Sequence, residues 1–359
     1  MEKVGASFVY MVFKILQFKL IMLYLNKYYL KGDKMKVIEV NNLRKEFVLK
    51  KKATKENGKK ALFKRERSVK NAVDGISFAI EEGEALAFIG PNGAGKSTTI
   101  KMLTGILYPT SGDIKVLGLN PSKDRIKLSY QIGTVFGQKE QLWVHLSPMD
   151  NFKFFGSIYD MKKDELEKRI EELATIFDIK GYINQPVKSL SLGQRMKCEM
   201  VASLLHNPKM LFFDEPTIGL DPIAKETLRK LIKKINRELG TTLIFTSHDV
   251  GDIEEVCKRV IIINDGKIVL DDSMKNLKYH HLNKKIVEVN LKNNVKIPEK
   301  DGIKVLKAKD TLYKIEVDMN KTTMDELLGL FKADDLQDIT ISSEPLEEII
   351  KDIYRGKDE

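Results

Sequence analysis

The sequence is poor in cysteine and proline, and each shortage excludes a class of protein. Cys198 and Cys257 are the two cysteines among 359 residues, which excludes a disulfide framework. Both lie in helix-like segments, and we interpret them as free buried thiols of a protein in a reducing cytoplasm. The 10 prolines beside 42% hydrophobic and 31% charged residues exclude collagen-like, mucin-like and largely disordered chains. The length predicts two or more folded units.

Long apolar runs are also missing. The N-terminal segment 8–30 is apolar and aromatic, but Lys14, Gln17 and Lys19 interrupt it. The longest uncharged run there, 4–13, is well short of the roughly 18–20 residues that a membrane span requires. No small-residue cleavage site of the signal-peptide kind accompanies it. The sequence therefore predicts no transmembrane helix, although a helix lying in the membrane interface stays open.

The positive charge of the chain is confined to one segment. The net charge is +10, yet residues 1–80 hold 19 basic and 7 acidic side chains, so the remainder is slightly acidic. Segment 48–70 is rich in lysine and is predicted to be a long exposed hairpin loop inserted between two strands. A protein that wraps nucleic acid usually spreads basic residues over its folded body. We therefore expect no nucleic-acid partner.

The apolar segments from Met35 onward indicate alternating strands and helices. Short apolar runs predict strands at 85–89, 210–213, 243–246 and 260–263. Apolar residues at helical spacing predict helices at 98–107, 164–177 and 194–205. The predicted fold class is α/β with a mainly parallel central sheet.

The sequence changes in character after about Leu277. Alternating apolar residues predict strands at 286–291, 303–306, 312–317 and 339–341. Thr323 and Glu326 form a capping box that opens a helix through Phe331, and a last helix runs from Pro345 through Tyr354. Residues 278–359 are therefore predicted to form a small α+β accessory domain.

Residues 90–97, Gly-Pro-Asn-Gly-Ala-Gly-Lys-Ser, fit the phosphate-binding loop pattern. A predicted strand precedes them and a predicted helix follows, as the pattern requires. Glycines let successive N–H groups point into one concavity, and the helix N-terminus adds positive potential. Lys96 is predicted to reach the β- and γ-phosphates of a nucleotide, and the Ser97 hydroxyl to bind Mg²⁺.

An acid pair, Asp214 and Glu215, follows the predicted strand at 210–213. Two adjacent carboxylates at a strand end suit phosphoryl transfer to water. Asp214 is predicted to hold Mg²⁺ through its water shell, and Glu215 to polarise the attacking water.

The segment Leu-Ser-Leu-Gly-Gln, residues 190–194, precedes that strand and opens a helix. It resembles the signature of ATP-binding cassette (ABC) ATPases, usually Leu-Ser-Gly-Gly-Gln, with Leu192 in place of the first glycine. If that position needed a positive φ, Leu192 would be strained. The resemblance implies that these residues, Ser191, Leu192, Gly193 and Gln194, act on the nucleotide bound by the opposite subunit.

Other residues match the family in order and spacing along residues 35–277. By this resemblance Gln138 contacts Mg²⁺ and the lytic water, His248 contacts the γ-phosphate, and Asp221 communicates across the dimer. Phe47 matches the aromatic residue that stacks on adenine, with a core phenylalanine as the alternative. The expected nucleotide-binding residues are Phe47, Gly90, Pro91, Asn92, Gly93, Ala94, Gly95, Lys96, Ser97 and Thr98. The expected cofactors are ATP and Mg²⁺, with Ser97, Gln138 and Asp214 at the metal.

The resemblance also implies an architecture and partners. The nucleotide-binding domain at 35–277 would contain an antiparallel β subdomain and a helical subdomain at about 139–205. One phosphate loop and one signature per chain imply an ATP-sandwich dimer of two copies. Segment 136–143, the basic hairpin and the C-terminal appendage resemble ATPases paired with ABC-2 type permeases, usually exporters. The expected location is peripheral, at the cytoplasmic face of the cell membrane, where the hairpin meets anionic lipid or only aids solubility.

Two other functions are less consistent with the sequence. Cassettes that act on ribosomes resemble two cassettes in tandem, whereas this chain has one. Those that repair DNA place a long coiled coil between the loop and the acid pair, and Lys96 and Asp214 are too close in sequence for that. A catalytically inactive scaffold would not need Lys96 and Glu215.

Residues 1–34 resemble nothing in the family, and the first strand opens naturally at Met35. One interpretation is an extra membrane-seeking helix. The other is a translated leader, because codons for Lys31, Gly32 and Asp33 can contain the purine-rich GGAG of a bacterial ribosome-binding site. We expect the natural chain to start at Met35.

Overall fold

The computed structural model describes residues 35–54, 60–137, 139–247, 249–280, 284–295, 297–298, 300–343 and 346–354. The predicted leader at 1–34 lies outside these residues. The strands are β1 (Lys36–Thr54), β2 (Lys60–Glu81), β3 (Ala85–Ile89), β4 (Ser111–Val116), β5 (Ile132–Phe136), β6 (Met210–Asp214), β7 (Thr242–Thr246), β8 (Arg259–Asn264), β9 (Lys267–Ser273), β10 (Lys284–Leu291), β11 (Ile303–Lys309), β12 (Leu312–Asp318) and β13 (Leu336–Ser343). The α-helices are α1 (Lys96–Leu103), α2 (Arg125–Ser129), α3 (Pro148–Ile158), α4 (Lys163–Ile176), α5 (Leu192–Leu204), α6 (Pro222–Leu239), α7 (Val250–Val256), α8 (Met274–His280), α9 (Met324–Leu328) and α10 (Leu346–Tyr354).

The central sheet has six strands in the order β5-β6-β7-β3-β8-β9. The first five are parallel, and β9 pairs antiparallel with β8. Every residue of β3 and β7 is buried, which is why β3 is wholly apolar, β7 has threonine only at its two ends, and neither strand alternates. The predicted mainly parallel α/β fold is confirmed. Because the strands are parallel, the chain leaves β3, β5, β6 and β7 at one edge of the sheet, where ligands usually bind.

A second sheet, in the order β2-β1-β4, is formed by the first strands of the described chain. β1 and β4 are antiparallel, with Ile38 opposite Val116 and Val40 opposite Ile114. These four side chains are buried in one apolar cluster with β3 residues such as Leu86. The predicted loop at 48–70 differs from the structure, since strand continues to Thr54 and resumes at Lys60. Backbone pairing of the two arms explains the difference.

Helices α3, α4 and α5 pack on one another in the segment predicted to be helical. Leu166, Ile170 and Leu173 form the buried stripe of α4, as the helical spacing predicts. They belong to the same apolar cluster as Phe213 on β6. The helical segment therefore shares a continuous core with the central sheet.

The C-terminal sheet has the order β11-β12-β10-β13 and is antiparallel throughout. Val289, Ile315 and Leu327 lie in its apolar core, which contains no residue of the central sheet. Helix α10 does not join this core. Ile349 and Ile350 are buried in the large cluster around the central sheet. The boundary at residue 278 stays a prediction. The last helix follows this boundary in sequence but packs against the core of the central sheet.

Candidate active site

The phosphate-binding loop connects β3 to α1 and depends on glycine at two close approaches. Gly95 has φ +113°, and a Cβ there would lie 2.5 Å from the carbonyl oxygen of Ala72. A Cβ on Gly90 would lie 2.3 Å from the carbonyl oxygen of Ile263. Larger residues would collide with backbone at both positions. The loop is therefore held in shape by packing against its own scaffold.

Lys96 is the first residue of α1, and its side chain is folded back into the loop. Its Nζ donates to the carbonyl oxygens of Gly90 at 2.5 Å and Pro91 at 3.2 Å. Burial lowers the pKa of Lys96, while the nearby carboxylates of Glu215 and Asp214 raise it. The ammonium is thus hydrogen-bonded to the loop carbonyls, from which the phosphates of a nucleotide would take over its hydrogen bonds.

Asp214 ends β6, and its carboxylate accepts hydrogen bonds from two hydroxyl groups. Ser97 Oγ donates to Asp214 Oδ1 at 3.1 Å, and Thr246 Oγ1 donates to the same oxygen at 2.7 Å. The parallel register of β6 and β7 places Asp214 directly beside Thr246. Hydroxyl and carboxylate oxygens are ligands that Mg²⁺ prefers, and Mg²⁺ usually keeps several waters and binds substrate phosphates. The Ser97 and Asp214 pair therefore fits a magnesium ion that is shared with a nucleotide.

Glu215 is buried and adopts a left-handed backbone conformation with φ 56°. Its N–H is held by Thr246, through the carbonyl oxygen at 3.1 Å and Oγ1 at 3.0 Å. A left-handed conformation costs a residue with a Cβ about 1–2 kcal/mol. The contacts from β7 hold it there.

Gly137, which precedes Gln138 in the sequence, lies against the backbone of the acid pair. Its N–H donates to the carbonyl oxygen of Asp214 at 2.9 Å, and a Cβ on it would lie 2.0 Å from the carbonyl oxygen of Glu215. Gln138 itself, like His248, lies outside the described residues. Their predicted contacts stay predictions.

Two cavities meet at Ser97 and Glu215, which line both. The first, about 290 Å³, contains most of the predicted nucleotide-binding residues and is lined by Phe47, Lys70, Ala72, Asn92, Gly93, Gly95, Lys96, Ser97, Thr98 and Glu215. The second, about 170 Å³, is lined by Ser97, Lys101, Ile106, Phe136, Lys139, Asp214 and Glu215. Phe47 is 38% exposed, with Lys45 Nζ 5.3 Å from its ring centre, so it is not a core residue. Its ring is available to a base at the mouth of the first cavity.

Ser191 caps α5 and forms a reciprocal capping box with Gln194. Its side chain accepts from Gln194 N–H at 3.2 Å, and the Gln194 Oε1 accepts from Ser191 N–H at 3.0 Å. Leu192 is the first residue of the helix and adopts helical backbone, so its replacement of glycine causes no strain. The described lining of the two cavities contains none of residues 191–194. The signature is thus outside the nucleotide cavity of its own chain.

Asp221 caps α6, and its side chain accepts from the N–H groups of Ile223 at 3.0 Å and Ala224 at 2.9 Å. This structural role is compatible with the predicted contact across a dimer and does not test it.

Asp252, which the sequence did not single out, is fully buried on α7. Its carboxylate accepts hydrogen bonds from Thr217 at 2.5 Å and from Ser247 at 3.0 Å. Asp252 therefore ties the chain after Glu215 to the chain before His248.

Thr246 and Gly137 were missed as well. Thr246 closes an apolar strand two residues before His248, which is a weak sequence signal for a site residue. Gly137 directly precedes Gln138, and a glycine beside a candidate ligand could have suggested a close backbone approach.

The chain is similar to known proteins of one family. The family model described as ABC transporter matches residues 73–218. ABC transporter ATP-binding protein NatA of Bacillus subtilis is 33% identical over 215 residues, 60% of this chain and 87% of that protein. Linearmycin resistance ATP-binding protein LnrL of the same organism is 36% identical over 214 residues, 60% of this chain and 67% of that protein.

Solved structures show the same fold. CbiO1 from Clostridium perfringens, part of the ABC transporter complex cbiONQ, is 28% identical, with a TM-score of 0.57 over 68% of this chain and 91% of that one. The dimeric structure of MJ0796, a bacterial ABC transporter cassette, is 26% identical, with a TM-score of 0.53 over 66% of this chain and 98% of that one. The chain belongs to the ATP-binding proteins of ABC transporters and is an ATPase of that family.

Proposed function

We propose that two copies of this chain hydrolyse ATP together and drive a separately encoded permease of the ABC-2 class in the direction of export. The observation that carries the proposal is the junction of β6 and β7. There one threonine, Thr246, binds both the Asp214 carboxylate and the Glu215 backbone, and Ser97 of the phosphate loop completes the group. This arrangement places a candidate metal ligand and a candidate base beside the loop that receives phosphates.

Each residue has a distinct task in the proposed reaction. Lys96 binds the β- and γ-phosphates, Ser97 and Asp214 would hold Mg²⁺, and Glu215 takes the proton of the attacking water. When bound there, the ion would supply positive charge that neutralises the phosphates. Gln138 would orient the lytic water, and His248 would contact the γ-phosphate. Phe47 stacks on the base at the mouth of the larger cavity.

A second copy would supply the signature to each site. The helix N-terminus at Ser191 offers a hydroxyl and backbone N–H groups, the donors that a γ-phosphate needs. Ser191, Gly193 and Gln194 lie outside the cavity of their own chain, and a related cassette, MJ0796, has been solved as a dimer. We infer an ATP-sandwich homodimer in which Asp221 communicates across the interface.

The permease would be a different polypeptide. Among the helices of the described residues, none combines the length and apolar character needed to cross a bilayer. Trp143 and Phe154 are 53% and 38% exposed, and their rings lie 4.2 Å apart. Exposed aromatic pairs of this kind favour a protein partner. LnrL is named for resistance, which supports export, and the features at 136–143 and 48–70 support the ABC-2 class.

We infer a peripheral location at the cytoplasmic face of the cell membrane, through the permease. The basic segment 48–70 is proposed to touch anionic lipid there, because each Lys or Arg near such a surface contributes about 1 kcal/mol.

The substitution Glu215→Gln tests the proposed base. Gln keeps the size of the side chain but cannot accept a proton, so turnover should fall about 10²- to 10⁴-fold while ATP still binds. ATP should then hold two copies together, so the variant elutes from a sizing column as a dimer with ATP and as a monomer without it. Glu226→Gln, at an exposed carboxylate of α6, is the matched control and should hydrolyse ATP normally. Near-normal turnover by Glu215→Gln would contradict the assignment.

The substitution Ser191→Arg tests the second copy. It should abolish hydrolysis and leave nucleotide binding intact, because Ser191 acts on the partner's nucleotide. Ser191→Asp is a second variant that should also abolish hydrolysis. Asp preserves the helix cap, so its main effect is a negative charge that repels phosphate. Hydrolysis by both variants would refute the shared site.

A further inference from the structure

Helix α5 presents one face to the loop that follows β5. Leu192, Arg195, Met196 and Glu199 recur at helical spacing and therefore lie on one side of the helix. With Gly137, Lys139 and Glu140 they enclose a cavity of about 160 Å³. This face begins beside Ser191, and the facing loop flanks Gln138.

Two polar contacts join this loop to this face. The Arg195 guanidinium forms an ion pair with the Glu140 carboxylate. One turn further along α5, Glu199 Oε1 accepts the Gln141 N–H at 3.4 Å. Both contacts connect adjacent loop residues to helix residues four apart, so the loop is joined to the helix at two points one turn apart.

Glu199 is an expensive residue at this position. Its side chain is buried, as are those of Met196, Cys198 and Met200 around it. A buried carboxylate costs free energy unless its partners compensate. Burial raises the pKa of Glu199 to about 7, the Gln141 N–H and Arg195 lower it, and Glu140 raises it. An apolar side chain would pack at this position without that cost. The carboxylate of Glu199 is therefore expected to serve a role in the reaction.

We propose that Glu199 and Arg195 are positioning residues that fasten the loop Lys139–Gln141 to the signature helix, so that Gln138 of one nucleotide site and Ser191, which serves the partner's site, move as a unit when ATP binds. The inference rests on the proposed function, because it concerns how the two nucleotide sites of the proposed dimer are linked within one chain. Neither Glu199 nor Arg195 needs to touch the nucleotide.

Charge reversal tests the ion pair. Glu140→Arg and Arg195→Glu each place like charges opposite one another, and each should lower kcat roughly tenfold with little change in KM for ATP. The double variant restores an opposite-charge pair and should recover most of kcat. Recovery distinguishes a link between these two residues from a general structural defect. A double variant as slow as the slower single variant would overturn the proposal.

Glu199 is tested by Glu199→Leu beside Glu199→Gln. Leu removes the acceptor, so hydrogen exchange at the Gln141 amide should accelerate roughly tenfold and kcat should fall with it. Gln keeps an acceptor oxygen and should preserve both protection and most of the turnover. Cys198→Ala, a buried neighbour on the same helix that does not line the cavity, is the matched control. It should leave exchange at Gln141 unchanged.

The exchange measurement separates this inference from the proposed function. Accelerated exchange at Gln141 with unchanged kcat would overturn the coupling and leave the ATPase site intact. Unchanged exchange in Glu199→Leu would overturn the contact itself. A wild-type chain without Glu215-dependent hydrolysis would instead refute the proposed function.

Discussion

Glu215 has a backbone conformation that its residue type disfavours. The left-handed φ of 56° is maintained by two hydrogen bonds from its N–H to Thr246 on the neighbouring strand. Such strain is typical of residues whose orientation matters more than their stability. The backbone that carries this carboxylate is therefore already in place when water and nucleotide arrive.

The sequence predicted chemical groups that the structure brings together, but it did not predict the contacts that orient them. Lys96, Ser97, Asp214 and Glu215 follow from motifs whose spacing is local. The double role of Thr246 could not be predicted, because it depends on the register between two strands that are remote in sequence. Glu199 was missed for a different reason. A lone Glu within a helix is usually solvated, whereas Glu199 is buried.

Glu199 should make stability depend on pH. Burial raises its pKa from 4.5 to about 7, so between these values the folded state binds more protons than the unfolded state. The free energy of unfolding therefore falls as the pH rises from 4.5 to 7, and the penalty is complete above pH 7. Glu199→Gln removes this penalty. Its gain in stability should be on the order of 2 kcal/mol larger at pH 8 than at pH 5.5.

Urea unfolding at both pH values measures this gain. Glu165→Gln, at an exposed carboxylate of α4, is the control and should show no such difference. An equal effect of Glu199→Gln at both pH values would show that Glu199 is not the titrating group.

At the scale of elements, periodicity predicted strands β3, β6, β7 and β8 and helices α1, α4 and α5 with errors only at their ends, but it did not predict β4, β5, β9, α3 or α6. Helix α1 begins at Lys96 rather than at Thr98 and ends at Leu103, before Gly105 with φ +71°. Among the segments for which the sequence made a prediction, the basic hairpin differs most from the structure. Its lysines have low strand propensity, but strand structure there follows from pairing between the arms, which composition does not report.

The basic hairpin should bind anionic membranes. Vesicles with acidic lipid should co-sediment the protein, and binding should weaken with salt, because surface charges are screened over about 8–10 Å. Replacing the lysines between Lys50 and Lys70 with glutamine should abolish it. For a matched control, replacing Lys50, Lys51 and Lys52 should weaken binding more than replacing the same number of lysines on α6, Lys230, Lys233 and Lys234. Equal binding of the wild-type protein to neutral vesicles would exclude the electrostatic interaction.

At the scale of the whole molecule, α10 belongs to the core of the cassette although it follows the C-terminal sheet. Leu346, Ile349 and Ile350 are buried in the same cluster as Leu243 and Val260. The amphipathic pattern of residues 346–354 predicted a helix with one apolar face. Such a pattern does not state which surface covers that face, so sequence alone placed the helix with its neighbours.

The substitution Ile350→Ala should therefore destabilise the ATPase core. Loss of a buried Ile side chain costs about 2–4 kcal/mol. Trp143, the one tryptophan of the chain, reports unfolding of the cassette by its fluorescence. Val289→Ala, in the separate core of the C-terminal sheet, is the control and should shift the Trp143 transition less. An equal or smaller shift for Ile350→Ala would show that α10 does not stabilise the cassette.

The position of α10 also has a consequence for biosynthesis. Domains generally fold from the N-terminus while the ribosome is still adding residues. Here the strands of the ATPase core emerge first and the four-stranded sheet second, and the helix that covers part of the first core emerges after both. The nascent cassette thus exposes an apolar surface until α10 has left the exit tunnel. Chaperones that bind nascent chains should protect this surface during that interval, and ribosomes that stop before residue 346 should release an aggregation-prone product.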